Sequence, residues 1–119
     1  MFKFFGVQYA LKGLYVAWKE ESNFRFQVCF AVLVVVFGFA LNISLLEWGL
    51  IIFMIGFVLT VELFNTALEE LCDKFTREHD PHIAKIKDLS AAAVLAASST
   101  ALIVGLVIFI PHLRIFFGI

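Results

Sequence analysis

A stripe of polar residues lies inside one of the most apolar parts of this sequence, in the segment VELFNTALEELCD at residues 61–73. On a helix the polar positions follow an i, i+3, i+4, i+7, i+11 pattern and share one face. They are Glu62, Asn65, Thr66, Glu69 and Asp73. Acidic groups on one face repel each other unless cations or protons lie between them. The stripe therefore predicts a metal, a basic ligand or a shared proton.

Glu62 is the candidate for proton chemistry. On a helix it lies about 16 Å from Asp73, at 1.5 Å per residue, which places it near or within the acyl-chain boundary of a membrane. A carboxylate at that depth is costly to ionise and suited to act as a general base. The structural alternative is a carboxyl group that only joins helices by hydrogen bonding.

Two other carboxylates, Glu21 and Glu69, are expected near the opening of the same site. Carboxylates combined with water and phosphate oxygens are the ligands that Mg²⁺ prefers in proteins. The two residues are therefore candidate magnesium ligands, and solvated charges at the membrane boundary are the alternative for each.

A charged turn follows the stripe, in the segment KFTREHDPHIAKIK at residues 74–87. Asp73, Lys87 and Asp88 flank this turn, where a lysine beside a carboxylate binds phosphate or forms only a surface ion pair. His79 and His82 also fall within the turn, and we expect them to be solvated and not to bind metal.

The composition places the chain in a membrane. Of its 119 residues, 62% are hydrophobic and 16% are charged, and the mean hydropathy is +0.98. Soluble domains are roughly half apolar. The net charge of −1 leaves no basic face of useful size, which argues against a nucleic-acid partner. Cys29 and Cys72 lack metal-ligand spacing, and we expect small buried side chains without a disulfide.

The hydrophobic pattern predicts an all-α integral membrane protein with one domain over residues 1–119. An amphipathic helix at 4–19 is expected on the membrane surface, with a helix packed on other protein as the alternative. Three transmembrane spans are expected at about 26–46, 46–72 and 88–110. Ser22 or Asn23 is expected to cap the first span, and Pro111 to end the third.

Basic residues are distributed unequally between the two ends of these spans. One end carries eight of the nine: Lys3, Lys12, Lys19, Arg25, Lys74, Arg77, Lys85 and Lys87. The other carries Arg114. By the positive-inside rule the N-terminus and the charged turn face the cytoplasm, and the acidic stripe opens towards nucleotides and magnesium. No GxxxxGK[ST] motif is present, so an ATP site of the familiar soluble kind is not expected.

Two segments carry a resemblance to a known family. VELFNTALEELCDKF, followed after a turn by KIKDLSAAAVL, resembles the signature of the small prokaryotic diacylglycerol kinases, a family that includes the undecaprenol kinases. The upstream segment YALKGLYVAWKEESNFRFQ resembles the family's surface helix and the start of its first span. The resemblance extends over nearly the whole chain.

The resemblance implies a homotrimer with active sites at subunit boundaries, in a bacterial cytoplasmic membrane. It implies Mg-ATP as phosphoryl donor, Mg²⁺ as cofactor and a lipid hydroxyl as acceptor. Glu62 would be the catalytic base and Asn65 an orienting partner, with Glu21 and Glu69 as magnesium ligands. The residues implied for nucleotide binding are Asp73, Lys87, Asp88, Tyr9 and Lys12.

One position departs from the diacylglycerol kinases, which carry an acidic residue two positions after the arginine that begins the first span. That position is Gln27 here. The segments NFRFQ and HDPHIAKIKD are more similar to the undecaprenol kinases, which favours undecaprenol as the lipid.

Two other classes of protein also fit a polar stripe: a proton- or ion-conducting subunit and a small structural partner. A conducting subunit would need neither Glu21 nor the Lys87–Asp88 pair, and in a structural partner the stripe would only specify helix pairing.

Overall fold

The structure is a computed structural model that describes residues 2–75 and 79–119, with only the backbone of residues 2–5. The described residues form four α-helices. They are α1 (Phe2–Glu20), α2 (Ser22–Leu41), α3 (Leu45–Phe75) and α4 (Pro81–Phe117). The last three are long and apolar enough to cross a membrane. The predicted all-α membrane architecture, with one N-terminal helix and three spans, is confirmed.

The junction of α1 and α2 is a single extended residue, Glu21, with φ −114° and ψ 107°. Arg25 reaches back from α2, and its Nη1 donates to the carbonyl oxygens of Trp18 at 2.7 Å and Lys19 at 3.1 Å. These bonds satisfy carbonyls that the last turn of a helix leaves unpaired. Glu21, and not Ser22 or Asn23 as expected, occupies the N-cap position, and its side chain makes no capping bond.

The α2–α3 turn ends the first span earlier than the predicted residue 46. Asn42 adopts the left-handed conformation, with φ 54° and ψ 54°. The backbone N–H groups of Asn42 and Ile43 then donate to the carbonyls of Phe39 and Gly38, which closes α2 at Leu41. Ser44 and Glu47 exchange side-chain to backbone bonds of 3.2 and 2.8 Å, a capping box that starts α3.

The core of the described residues lies at this end of the molecule. Ile43, Ile51 and Ile108 are buried together, and Trp48 packs against them. Trp48 also lies directly over Gly38, where an added Cβ would stand 2.6 Å from its Cη2 atom. Only glycine therefore allows α2 to approach Trp48 so closely.

At the opposite end of α3, which stops at Phe75, the next helix, α4, begins at Pro81. Asp80 caps α4, because its Oδ1 accepts the backbone N–H groups of His82 at 2.8 Å and Ile83 at 3.1 Å. Pro81 takes the first helical position, where its missing N–H has no cost. Most of the described residues in the predicted turn at 74–87 are therefore helical, because Lys74 and Phe75 belong to α3 and residues 81–87 to α4. Arg77 and the side chain of Lys3, both counted in the charge asymmetry, lie outside the described residues.

Helix α4 continues through Pro111 to Phe117, so the prediction that Pro111 ends this helix is wrong. Proline is tolerated inside membrane helices where neighbouring groups support the backbone. Here the next residue, His112, bonds through Nε2 to Oε1 of Glu47 on α3 at 2.9 Å. The helix ends instead at Gly118, whose φ of 71° is left-handed.

The molecule is flat, with extents of 56 × 40 × 21 Å. Helix α3 packs along α4 and, less closely, along α2, while α2 and α4 barely touch. A groove of about 560 Å³ therefore runs between the three spans. Large apolar side chains are exposed along all of them, as expected of a surface that meets lipid or other apolar protein.

Candidate active site

Glu62 is the largest side chain that is completely buried among the described residues, with 1% of its surface exposed. It lies on α3 and receives hydrogen bonds from two other side chains. Gln27 Nε2, on α2, donates to its Oε1 at 3.1 Å, and Thr66 Oγ1, one turn along α3, donates to its Oε2 at 3.5 Å. Both bonds are directed at the carboxylate, whose two oxygens act as acceptors.

Asn65 links the stripe to α4. Its Nδ2 donates to Glu69 Oε1 at 3.4 Å, and its Oδ1 accepts a bond of 2.7 Å from Ser90 Oγ. Ser90 is itself buried, with 7% of its surface exposed. The shorter bond, between Asn65 and Ser90, joins α3 to α4 and fixes the Asn65 amide. The fixed amide in turn orients the Glu69 carboxylate.

Asp73 and Lys87 form the third polar contact along α3. Lys87 Nζ lies 2.7 Å from Asp73 Oδ1, and the two side chains are 39% and 58% exposed. An ion pair this open to solvent contributes little to stability. It is better suited to hold the lysine near the end of α3 than to hold the helices together.

Glu21 enters the same region from the α1–α2 junction. Loss of hydration raises the pKa of its carboxyl group, and the negative charges of Glu69 and Glu62 raise that pKa further. The three carboxylates are therefore within electrostatic reach of each other, although they come from two helices and a junction. Such a cluster lowers its energy by taking up a cation.

The donors available in this region fit Mg²⁺ only in part. Within residues 6–75 and 79–119, no group of three or more His, Cys, Asp or Glu residues could hold a metal ion. Glu21 and Glu69 can supply two carboxylates. Magnesium is often held by one or two carboxylates together with waters and the phosphates of a nucleotide, and two carboxylates suit that arrangement.

The other predicted residues lie apart from Glu62. Tyr9 and Lys12 share a face of α1 and are exposed, and no described hydrogen bond joins either to the residues above. Asp88 is exposed beside Lys87. His79 and His82 are exposed as well. The structure thus brings Glu62, Asn65, Glu69 and Glu21 into one region and leaves Tyr9 and Lys12 outside it.

Two residues of the site had no role in the sequence interpretation. Ser90 follows Lys87 by three positions and so shares its helix face, which is the signal that could have identified it. The sequence identifies Gln27 only as a departure from the pattern of the diacylglycerol kinases. Its contact with Glu62 joins positions 35 apart, and no periodicity within one helix predicts such a pair.

An apolar cleft lies beside the bond between Asn65 and Ser90. It has a volume of about 400 Å³ and is open to the surroundings of the molecule. Its other lining residues are Val61, Phe64, Leu68, Ile86, Leu89 and Ala93. The polar site is therefore adjacent to a surface that suits hydrocarbon.

Three spans and a buried, hydrogen-bonded carboxylate define a multi-pass membrane protein with a polar site at one end of its helices. Residues 8–109 match the sequence model of the family described as prokaryotic diacylglycerol kinase. The chain belongs to this family, as its resemblance predicted.

The relatives are named as lipid kinases. An undecaprenol kinase from Bacillus subtilis (strain 168) is 36% identical over 105 residues, which cover 88% of this chain and 85% of the relative. A diacylglycerol kinase from Helicobacter pylori (strain ATCC 700392 / 26695) is 39% identical over 87 residues, which cover 73% of this chain and 68% of the relative. A diacylglycerol kinase from Escherichia coli (strain K12) is 32% identical over 104 residues, which cover 87% of this chain and 85% of the relative. The chain is a lipid kinase, and the predicted enzyme class is confirmed.

Proposed function

We propose that this protein transfers the γ-phosphoryl group of Mg-ATP to the hydroxyl group of a membrane lipid, with Glu62 as the general base. The observation that carries the proposal is the complete burial of Glu62 with a donor on each carboxylate oxygen. A desolvated carboxylate held as an acceptor can remove a proton from an alcohol. The lipid oxygen then bonds to the γ-phosphorus, and the bond from that phosphorus to the bridging oxygen breaks to release ADP.

The surrounding residues supply position and charge. Phosphoryl transfer depends mainly on alignment and on neutralising the phosphate oxygens, which is what bound magnesium would supply. Glu21 and Glu69 would hold the ion, and Asn65, fixed by Ser90, would orient Glu69. Lys87, which is paired with Asp73, and the neighbouring Asp88 would contact the phosphates. Tyr9 and Lys12 are the residues of α1 that we propose contact the nucleotide.

For the lipid we propose undecaprenol, with diacylglycerol as the second candidate. The undecaprenol kinase of Bacillus subtilis is similar over most of both chains, and Gln27 stands where the resemblance to diacylglycerol kinases implies an acid. Turnover on undecaprenol, diacylglycerol and ceramide, each in the same vesicles with labelled ATP, tests the choice. A rate on diacylglycerol well above that on undecaprenol would reverse it.

We also propose a homotrimer in the bacterial cytoplasmic membrane, with the site open to the cytoplasm. The family resemblance supports the trimer, as do the apolar side chains exposed along the spans. The concentration of basic residues at one end supports the orientation. Cross-linking in membranes and light scattering of the purified protein measure the subunit number, and a monomer that retains full turnover would contradict the trimer.

The decisive experiment is Glu62→Gln. Glutamine keeps the size of the side chain and an oxygen that still accepts from Gln27, so assembly and ATP binding should persist. Loss of a general base typically lowers the rate by about 10² to 10⁴. Turnover and ATP affinity are measured on one purified sample, with Glu70→Gln, an exposed neighbour, as the charge-matched control.

Three results of this experiment have different meanings. A fall in turnover with unchanged ATP affinity supports the proposal. Retained turnover removes Glu62 from the mechanism, and lost ATP affinity makes it a ligand instead of a base. An ion flux across vesicles that needs Glu62 but no ATP would indicate a conducting subunit.

A further inference from the structure

Gln27 uses only one end of its amide in the described part of the chain. Its Nε2 donates to Glu62 Oε1 at 3.1 Å. Its Oε1 is buried and has no hydrogen-bond partner among residues 6–75 and 79–119. Buried amide oxygens are nearly always paired, because removing one from water without a partner costs free energy. The amide is therefore half satisfied beside the proposed base.

The direction of the amide follows from the chemistry of Glu62. As the proposed base, Glu62 carries no proton, and a carboxylate without a proton has no hydrogen to donate, so only the NH₂ end of Gln27 can face it. The carbonyl end must then point elsewhere. The hydroxyl of Thr66 already bonds to the second oxygen of Glu62, which leaves it unable to donate to Gln27.

Among the residues that the structure describes, the surroundings of Gln27 offer no other side-chain donor. Gln27 lines the groove of about 560 Å³ between the three spans, and of the residues lining that groove only Gln27 and Ser98 are polar. Ser98 lies on α4, and no described hydrogen bond joins it to Gln27. The described residues therefore leave this acceptor for a molecule bound in the site.

We propose that Gln27 is a positioning residue for the kinase reaction, whose Nε2 holds the Glu62 carboxylate and whose Oε1 accepts a hydrogen bond from a hydroxyl group in the site. The proposal rests on the proposed function, because it takes Glu62 as the base. The hydroxyl belongs to the lipid alcohol or to an ordered water, and both donate in the same way.

Two substitutions separate the two ends of the amide. Gln27→Leu removes donor and acceptor at similar size. Gln27→Glu keeps an acceptor oxygen and donates only while it is protonated. Gln8→Leu, on the exposed surface of α1, is the matched control. Losing the hydrogen bond that positions Glu62 should lower kcat on the order of 10-fold in Gln27→Leu and leave the Gln8→Leu enzyme unchanged.

The pH profile of Gln27→Glu tests the donor end. Two carboxyl groups about 3 Å apart share one proton, and the shared proton provides the bond that the amide provided. The negative charges of Glu21 and Glu69 nearby favour keeping that proton. The proton is lost as pH rises, so kcat of Gln27→Glu should fall with rising pH relative to the unchanged enzyme. A kcat as low as that of Gln27→Leu at every pH would overturn the donor role.

The KM for the lipid identifies the source of the hydroxyl. A KM raised several-fold in Gln27→Leu but not in Gln27→Glu assigns the bond at Oε1 to the lipid alcohol. A lowered kcat with unchanged KM in Gln27→Leu assigns it to water, and the positioning role stands in either case. Unchanged kcat in Gln27→Leu overturns the proposal.

The double variant separates this inference from the function on which it rests. If Gln27 acts through Glu62, adding Gln27→Leu to Glu62→Gln should cause no further loss of kcat. A further 10-fold loss would show an independent effect and contradict the proposal. If Glu62→Gln alone keeps full turnover, the base assignment fails. If Glu62→Gln loses turnover but Gln27→Leu behaves like Gln8→Leu, only the role of Gln27 fails.

Discussion

Glu62 and Glu69 lie on one face of α3 and have different surroundings. Glu62 is completely buried and is held by donors from α2 and α3. Glu69 is partly exposed and bonds to Asn65 at 3.4 Å, near the limit for a hydrogen bond. The difference suits two tasks: a desolvated group for proton transfer, and a more accessible carboxylate for a hydrated cation.

Glu69→Gln should weaken the use of Mg-ATP and leave the fold intact. The substitution removes one proposed magnesium ligand, and it also removes a negative charge that acts on Glu21, so repulsion within the cluster falls. We expect the magnesium concentration needed for half-maximal turnover to rise on the order of 10-fold or more. Titration of turnover with Mg²⁺ measures the effect.

Glu70→Gln is the control for this titration, because it makes the same change of charge at the next, exposed position. A general effect of net charge would appear in both variants. Normal magnesium dependence in Glu69→Gln would remove this residue from the metal site.

The sequence was sufficient for the part of the site that lies on α3. The stripe from Glu62 to Asp73 follows from helical periodicity alone, and Thr66 and Asn65 bond within it as that spacing requires. Ser90 and Gln27 reach the stripe from other helices. Which residues of α2 and α4 face α3 depends on packing, and apolar spans with little amphipathic pattern do not reveal it.

The helices were predicted in number and order, and their ends were predicted less well. Helix α2 ends at Leu41, five residues before the expected end of the first span, because the left-handed residue Asn42 closes the helix there. Pro111 does not end α4, and the next residue, His112, bonds to Glu47 on α3. Both outcomes depend on local conformation or tertiary contacts that composition does not contain.

Gly38→Ala should destabilise the α2–α3 hairpin. The added Cβ would lie 2.6 Å from Cη2 and 2.9 Å from Cζ2 of Trp48, so the indole must move. Overpacking of this kind costs about 1–3 kcal/mol. The midpoint of thermal unfolding in detergent should fall, and turnover at low temperature should persist because Glu62 lies far along α3 from this contact.

Gly49→Ala provides the comparison. An added Cβ at Gly49 meets no described atom within 4 Å, and alanine favours a helix more than glycine by about 1 kcal/mol. The midpoint of thermal unfolding of Gly49→Ala should stay the same or rise. Equal losses in the two variants would show that the contact with Trp48 is not the cause.

The proposed orientation of the whole molecule can be tested at two exposed positions. In a background lacking Cys29 and Cys72, His79→Cys reports on the α3–α4 turn and Ile119→Cys on the end that follows α4. His79 is preferable to Asp80, which caps α4. A membrane-impermeant maleimide added to intact cells should label position 119 and spare position 79 until the cells are opened. The reverse pattern would invert the topology.

The length of α3 connects the enzyme to the thickness of its membrane. Its 31 residues extend about 46 Å, whereas the hydrocarbon core is about 30 Å thick. If Leu45 marks the outer boundary, Glu62 lies about 26 Å along the helix, just inside the inner boundary. Lipids with longer acyl chains would bury the Glu62 carboxylate more deeply, and lipids with shorter chains would expose it to water. We therefore expect the mismatch between α3 and the membrane thickness to control the turnover rate. Turnover in vesicles of graded acyl length should pass through a maximum, and a flat profile would show that the protein sets the local thickness itself.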